Sequence, residues 1–137
     1  MDILLDSDHA GGNLEMLKYY GKIPVYGGDE RIDGLTHLIP PQDLSVISME
    51  HLKSFFKSPT TLHIGSFHVE TLFTPCHTAG SVCFYFPDLA SLFTGDTLFL
   101  AGCGRFFEGI FMKSHLFHII CSFLICRNRQ GYVECFT

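Results

Sequence analysis

The chain has 137 residues, 47% of them apolar and 17% charged, with a net charge of −5 and a pI near 5.8. That length and composition suit one domain with a sizeable core and exclude a disordered tail. Lys and Arg number only nine and do not cluster, which excludes the electrostatic footprint of a nucleic-acid binder.

The opening Met1-Asp2-Ile3-Leu4-Leu5-Asp6 has no basic region and is too short for a secretory signal, so the cytosol is the default compartment, with the mitochondrion as the alternative. Asp8-His9-Ala10-Gly11-Gly12-Asn13 then reads as a small-residue turn feeding a short helix through Tyr20, with Asn13 at its N-cap. Gly21-Lys22 breaks that helix, and Ile23-Pro24-Val25-Tyr26 is a short strand closed by Gly27-Gly28. Turn, helix and strand in this order suit an α/β sandwich.

Between Asp29 and Pro59 the pattern is mixed. Pro40-Pro41 marks a loop, and 48–57 has Met49, Leu52, Phe55 and Phe56 at helical spacing. Clearer strands follow. Leu62-His63-Ile64 and Phe67 to Leu72 flank Gly65-Ser66 as a hairpin; Ser81 to Phe86 is a strand ended by Pro87-Asp88; Ser91 to Thr94 runs into Gly95-Asp96. After Gly109 the texture changes. Ile110 to Cys126 is apolar but carries Lys113, His115 and His118, short of the about 20 apolar residues of a spanning helix, and no membrane association is expected. Six cysteines at 76, 83, 103, 121, 126 and 135 form no CxxC pair and read as free thiols.

Asp8 with His9, His77, and Asp96 all lie in Gly- or Pro-bounded turns, two of them directly at strand ends, where a scaffold holds ligand residues. Imidazole and carboxylate together suit zinc, iron or manganese. A single His or Asp in such a loop also has an ordinary reading as a hydrogen-bonded turn residue. Asp8-His9 followed by Ala-Gly-Gly-Asn is more specific, because the glycines let the backbone turn tightly beneath a site.

That run resembles the end of the His-rich metal motif of the metallo-β-lactamase superfamily, T-H-x-H-x-D-H-x-G-G-N. Thr74-Pro75-Cys76-His77-Thr78-Ala79-Gly80 is similar to the motif holding the next His ligand, and Phe93-Thr94-Gly95-Asp96-Thr97-Leu98-Phe99 to the strand that ends in a bridging Asp. Ala101 to Gly109 (Ala-Gly-Cys-Gly-Arg-Phe-Phe-Glu-Gly) and Val25 to Ile32, with Leu35-Thr36-His37 behind it, narrow the resemblance to glyoxalase II. It spans roughly residues 6 to 109, with 40–61 as an insertion and 110–137 as a divergent apolar tail.

The resemblance implies part of a four-layer αββα sandwich with mixed sheets, in the α/β class. It implies hydrolysis of S-D-lactoylglutathione, a glutathione thioester, to glutathione and D-lactate by metal-bound hydroxide, as in methylglyoxal detoxification. Two zinc ions are expected, with iron or manganese as alternatives, and the protein is expected to be a monomer. Asp8 and His9 would serve one metal, His77 the other, and Asp96 both. Asp8 and Asp96 are thus the candidate catalytic carboxylates, Asp8 by orienting water. Arg105 and Phe107 would lie along the glutathione moiety, Phe107 where the family usually has Tyr; its lost hydroxyl would remove a hydrogen bond.

The pattern also departs from the family. The two earlier His positions fall on Leu4 and Asp6; Leu4 cannot bind metal, while Asp6 either replaces an imidazole or is incidental. No Cys-Gly-His-Glu-like motif supplies a last His, His115 and His118 lacking that context, and the C-terminal helical domain is missing. Truncation at both ends is the expectation, with the tail joined by a changed exon boundary or an imperfect gene model. Two further readings stand beside the enzyme: a non-catalytic fragment with impaired metal binding, and a related metallohydrolase acting on another thioester, a lactam or a phosphodiester. The run from Ala101 to Gly109 argues against the last.

Overall fold

The computed structural model describes residues 7–41, 60–99, 101–108 and 134–136; the expected helix over 48–57, the candidates Asp6, His115 and His118, and most of the tail lie outside them. Ser7–Ala10 form a single helical turn, α1, where a turn was expected. Gly11-Gly12 interrupt it, and α2 runs over Asn13–Tyr20 until Gly21, at φ +76°, turns the chain away and donates its N–H to Leu17. Asn13 does not cap α2. Gly12 holds that position, and the Asn13 amide donates to the Asp33 carbonyl at 3.1 Å, tying the helix to the next loop.

The strand expected over 23–26 is shorter and later, β1 at Tyr26–Gly27, paired in parallel with β2 at His37–Leu38. Pro24 has no N–H to give a ladder, and the Val25 N–H goes to the Thr36 hydroxyl at 2.8 Å rather than to backbone. The second sheet has five strands: β3 (Thr60–Ile64), β4 (Phe67–Phe73), β5 (Val82–Phe86), β6 (Ser91–Phe93) and β7 (Glu134–Phe136). They lie in sequence order, antiparallel through β6, with β7 parallel to β6. Gly65 takes φ +61° in the two-residue turn between β3 and β4, as the hairpin pattern requires.

Three layers follow from the packing. Val69, Phe73, Val82, Phe84 and Phe86 on one face of the five-stranded sheet bury against Tyr26 of the small sheet and Ile39 just after it. A second cluster has Leu17 of α2 and Leu35 packed on Ala10, Val25 and Ile32. The other face of the large sheet carries Leu72, Cys83, Tyr85 and Leu92, also buried, so β5 is enclosed on both sides. The molecule is thus α/β with parallel and antiparallel pairing, as expected. Among the described residues no helix is long and apolar enough to cross a membrane, and Cys76, Cys83 and Cys103 are free thiols.

Candidate functional site

Two loops at the ends of neighbouring strands carry the central residues. The 74–81 loop leaves β4 and returns into β5; its neck is closed by the Thr74 N–H donating to Ser81 at 2.8 Å and by Ser81 Oγ accepting from the Thr78 N–H at 3.1 Å. A 3-10 turn at Gly95–Thr97 follows β6, with the Thr94 hydroxyl donating to the Leu98 carbonyl at 2.8 Å. The buried hydroxyls of Thr74 and Thr97 meet at 3.1 Å and couple the two loops.

This brackets His77 and Asp96. His77 is buried, and its Nε2 lies 3.3 Å from Asp96 Oδ2. His9, from α1, places its Nε2 3.5 Å from Asp96 Oδ1. One carboxylate thus faces two imidazoles, each through a different oxygen. His77 Nδ1 lies 2.5 Å from the Arg105 carbonyl oxygen. That oxygen can only accept, so Nδ1 carries a proton and Nε2 is the ring nitrogen turned to Asp96. A ring nitrogen and a carboxylate oxygen at that distance can share a proton or a metal ion.

Residues 104–108 form a strap over these side chains. Gly104 donates its N–H to the Asp96 carbonyl at 2.6 Å, and Phe107 donates to the His77 carbonyl at 3.3 Å. A Cβ on Gly104 would sit 2.6 Å from Asp96 Cβ and 2.9 Å from His77 Nδ1, so only glycine lets the strap approach. The Phe107 ring stands edge-on to His77 at 5.2 Å between centroids, and the Arg105 guanidinium lies 5.7 Å from the Phe107 ring centre. Arg105 and Phe107 are both exposed or nearly so and form the rim beside His77.

Beyond the strap lies a charged group that the motifs quote without assigning it a role. Arg31 donates from Nε and a terminal nitrogen to the Asp29 carboxylate at 2.6–3.1 Å, and in a fork to Glu108 at 2.9 and 3.0 Å. Glu108 also accepts the Ala79 N–H at 2.7 Å. The hydrogen bonds from Arg31 hold both carboxyls below the usual carboxylate range against the opposing effect of burial, and Arg31 itself is raised by the two carboxylates. Gly28 and Gly80 pack backbone to backbone beside this group, where a Cβ on Gly28 would lie against the Gly80 carbonyl oxygen.

The structure therefore brings His9, His77 and Asp96 together and sets Arg105 and Phe107 at their edge. Asp8 lies in α1, with its side chain outside the described residues, as are Asp6, His115 and His118 entirely. Among the described residues no three His, Cys, Asp or Glu side chains form one metal-holding group; the geometry is two imidazole–carboxylate pairs sharing Asp96. Sequence reading missed Gly104 as a steric requirement and the Asp29–Arg31–Glu108 group as a unit. The only signal for the latter was unlike charge in two runs 77 residues apart.

Comparison with known proteins gives the chain's family and fold. The sequence profile of the metallo-beta-lactamase superfamily matches residues 5–118. A probable hydroxyacylglutathione hydrolase of Schizosaccharomyces pombe is 45% identical over 104 residues, 74% of this chain and 34% of that protein. The cytoplasmic isozyme of hydroxyacylglutathione hydrolase of Saccharomyces cerevisiae is 41% identical over 112 residues, 74% of this chain and 35% of that protein. The chain spans about a third of the length of the curated relatives it matches. Among solved structures, ETHE1 from Myxococcus xanthus superposes with a TM-score of 0.63 at 20% identity, covering 91% of this chain and 47% of that one, a likeness of fold.

Proposed function

The chain belongs to the metallo-β-lactamase superfamily, and from that premise we propose that it carries the metal-binding half of a hydroxyacylglutathione hydrolase, which hydrolyses S-D-lactoylglutathione to glutathione and D-lactate. The resemblance to glyoxalase II read from the motifs agrees with relatives that are 39–45% identical and bear that enzyme's name. One observation carries the reading: Asp96 offers its two oxygens to two separate imidazoles, His9 and His77.

The residues present fit a pair of divalent cations. His77 is held by the Arg105 carbonyl with Nε2 turned to Asp96, so that an imidazole nitrogen and a carboxylate oxygen, both donors that suit such ions, face each other. Asp8 and His9 would hold one ion, His77 the other, and Asp96 both, with zinc the ion proposed and iron or manganese alternatives. The chemistry such ions supply is activation of water and polarisation of an acyl carbonyl. The chain's own residues do the rest. Asp96 would screen one cation from the other, and Asp8 would orient the attacking water. The Arg105 carbonyl keeps His77 in one tautomer, and Arg105 with Phe107 lines the path of the glutathione moiety beside His77. Water adds its oxygen to the acyl carbon and the C–S bond breaks; one proton of the water goes to the sulfur and the other is released to solvent, so that lactate leaves as the carboxylate and glutathione as the thiol. The compartment proposed is the cytoplasm, the location in the yeast relative's name.

A second reading, a non-catalytic piece with impaired metal binding, is favoured by one specific finding: among the described residues no three donors converge. Metal content of the purified chain, with lactoylglutathione hydrolysis before and after zinc is added, separates the two. About two metals per chain, and turnover that His77→Ala lowers by at least the ~10²-fold expected when a metal ligand is lost, support the enzyme. Absence of both stoichiometric metal and turnover would establish the non-catalytic reading.

A further inference from the structure

At the other end of β4 from the His77 loop, the β3–β4 hairpin sets two histidines face to face. Leu62 and Ile64 of β3 and Val69 of β4 pack on the core. Strand alternation therefore puts His63 and His68 together on the opposite face of the sheet. They are direct partners in the ladder, one pair in from Ile64 and Phe67, which flank the two-residue turn. The pair that closes such a turn shares the ladder's hydrogen bonds. The next pair, His63 with His68, is then of the type without them, in which side chains approach most closely. The two rings lie 5.7 Å apart between centroids and 38° from parallel. His63 is exposed and His68 half-buried, so both rings are within reach of solvent.

We propose that His63 and His68 form a binding site for one divalent transition-metal ion, separate from the group around Asp96. Imidazole suits copper, nickel and zinc, and of these copper(II) binds a given donor set most tightly. An ion bonded to one nitrogen of each ring at about 2 Å holds the ring centres roughly 5 Å apart, close to the spacing already present. Small rotations of two surface side chains complete the geometry, and the hairpin backbone stays as it is. The ladder fixes both Cβ positions in advance, so the second imidazole binds from within the same molecule and the pair outperforms a single histidine. Among the described residues no third donor joins them, Glu70 two positions along the same face included. The ion's remaining positions therefore go to water or to donors of another molecule. The site is independent of the proposed function: His68 is six residues from Thr74, where the His77 loop begins, a span of roughly 20 Å along the strand.

The test uses copper(II) held by iminodiacetate, a chelate that leaves open the neighbouring positions two imidazoles need. It is titrated into the full chain and followed by amide NMR, in which the paramagnetic ion broadens the resonances near it. Electron paramagnetic resonance of the same samples distinguishes one coordinated imidazole from two. In the wild type the amide signals of residues 62–64 and 67–69 should fade before those of 77–79, and the copper should carry two imidazoles. His63→Gln and His68→Gln should each weaken binding at the hairpin on the order of a hundredfold, the advantage of a linked second donor. Both are changes at the sheet surface, so the urea unfolding midpoint should hold steady, and each variant stands in for the other if one fails to fold. His77→Ala should bind the probe at the hairpin as the wild type does, so a failure of the proposed function leaves this site standing. Hairpin signals that persist while those of 77–79 fade overturn the proposal. So does a glutamine variant that binds the probe as tightly as the wild type, or copper held by a single imidazole.

Discussion

At Gly104 the strap has no room for even one more carbon. A Cβ there would meet Asp96 Cβ and the Asp96 carbonyl oxygen at 2.6 Å and His77 Nδ1 at 2.9 Å, and two of those are not flexible side-chain ends. Gly104→Ala must therefore push the strap off Asp96 and His77 together. It should lower stability by about 1–3 kcal/mol, the usual cost of overfilling a packed site, seen as a lower urea midpoint. The same variant should lose metal binding if the shared carboxylate is the seat of the ions. An unchanged midpoint would mean the strap moves away freely and does not brace His77. The candidate ligands themselves were readable as single residues, because His9, His77 and Asp96 are polar groups in glycine- or proline-bounded turns. Gly104 was not, since its demand comes from side chains 8 and 27 positions earlier in the chain.

Elements were legible where local physics decides them. Gly65-Ser66 between two alternating runs gave the hairpin, and the structure sets Gly65 at φ +61° with nothing within 4 Å of a would-be Cβ. Gly65→Ala should therefore cost about 1 kcal/mol through backbone strain alone, with Gly65→Asn costing less because Asn tolerates that conformation. A pair of urea melts checks this; equal losses for Ala and Asn would mean that something other than the backbone angle is at stake. Local reading went astray where a side chain displaces the backbone partner. The Thr36 hydroxyl takes the Val25 N–H, and β1 starts at Tyr26 instead of Ile23. Asn13 spends its amide on Asp33, leaving Gly12 as the cap of α2. Both partners come from a loop that the sequence shows only as mixed pattern. The parallel pairing of β7 with β6 was illegible for a related reason: the short run Glu134–Phe136 has no periodicity of its own, and only its neighbour defines it.

Across the whole molecule, the loop after β1 and the 104–108 strap meet through Arg31, and this gives stability a definite dependence on pH. The Asp29 carboxyl is held low chiefly by the Arg31 side chain, and Glu108 by the same guanidinium and then by the Ala79 N–H. A carboxylate with a lower pKa folded than unfolded contributes stability that is fully present above its unfolded value, about 4. That contribution is lost as pH falls through the lower folded value. Arg31→Met removes the common cause, so the wild type should unfold at higher urea than the variant near neutral pH. The gap should narrow below about pH 4 and close once both carboxyls are protonated. It should be small at every pH, because Arg31 and Glu108 face water, and smaller still in high salt. The measurement is the urea midpoint of both proteins from neutral to acid pH at two ionic strengths. A gap that persists unchanged into acid and salt would assign the role of Arg31 to the packing of its apolar stem. A gap that closes with protonation would show that charge joins the Asp29 loop to the strap.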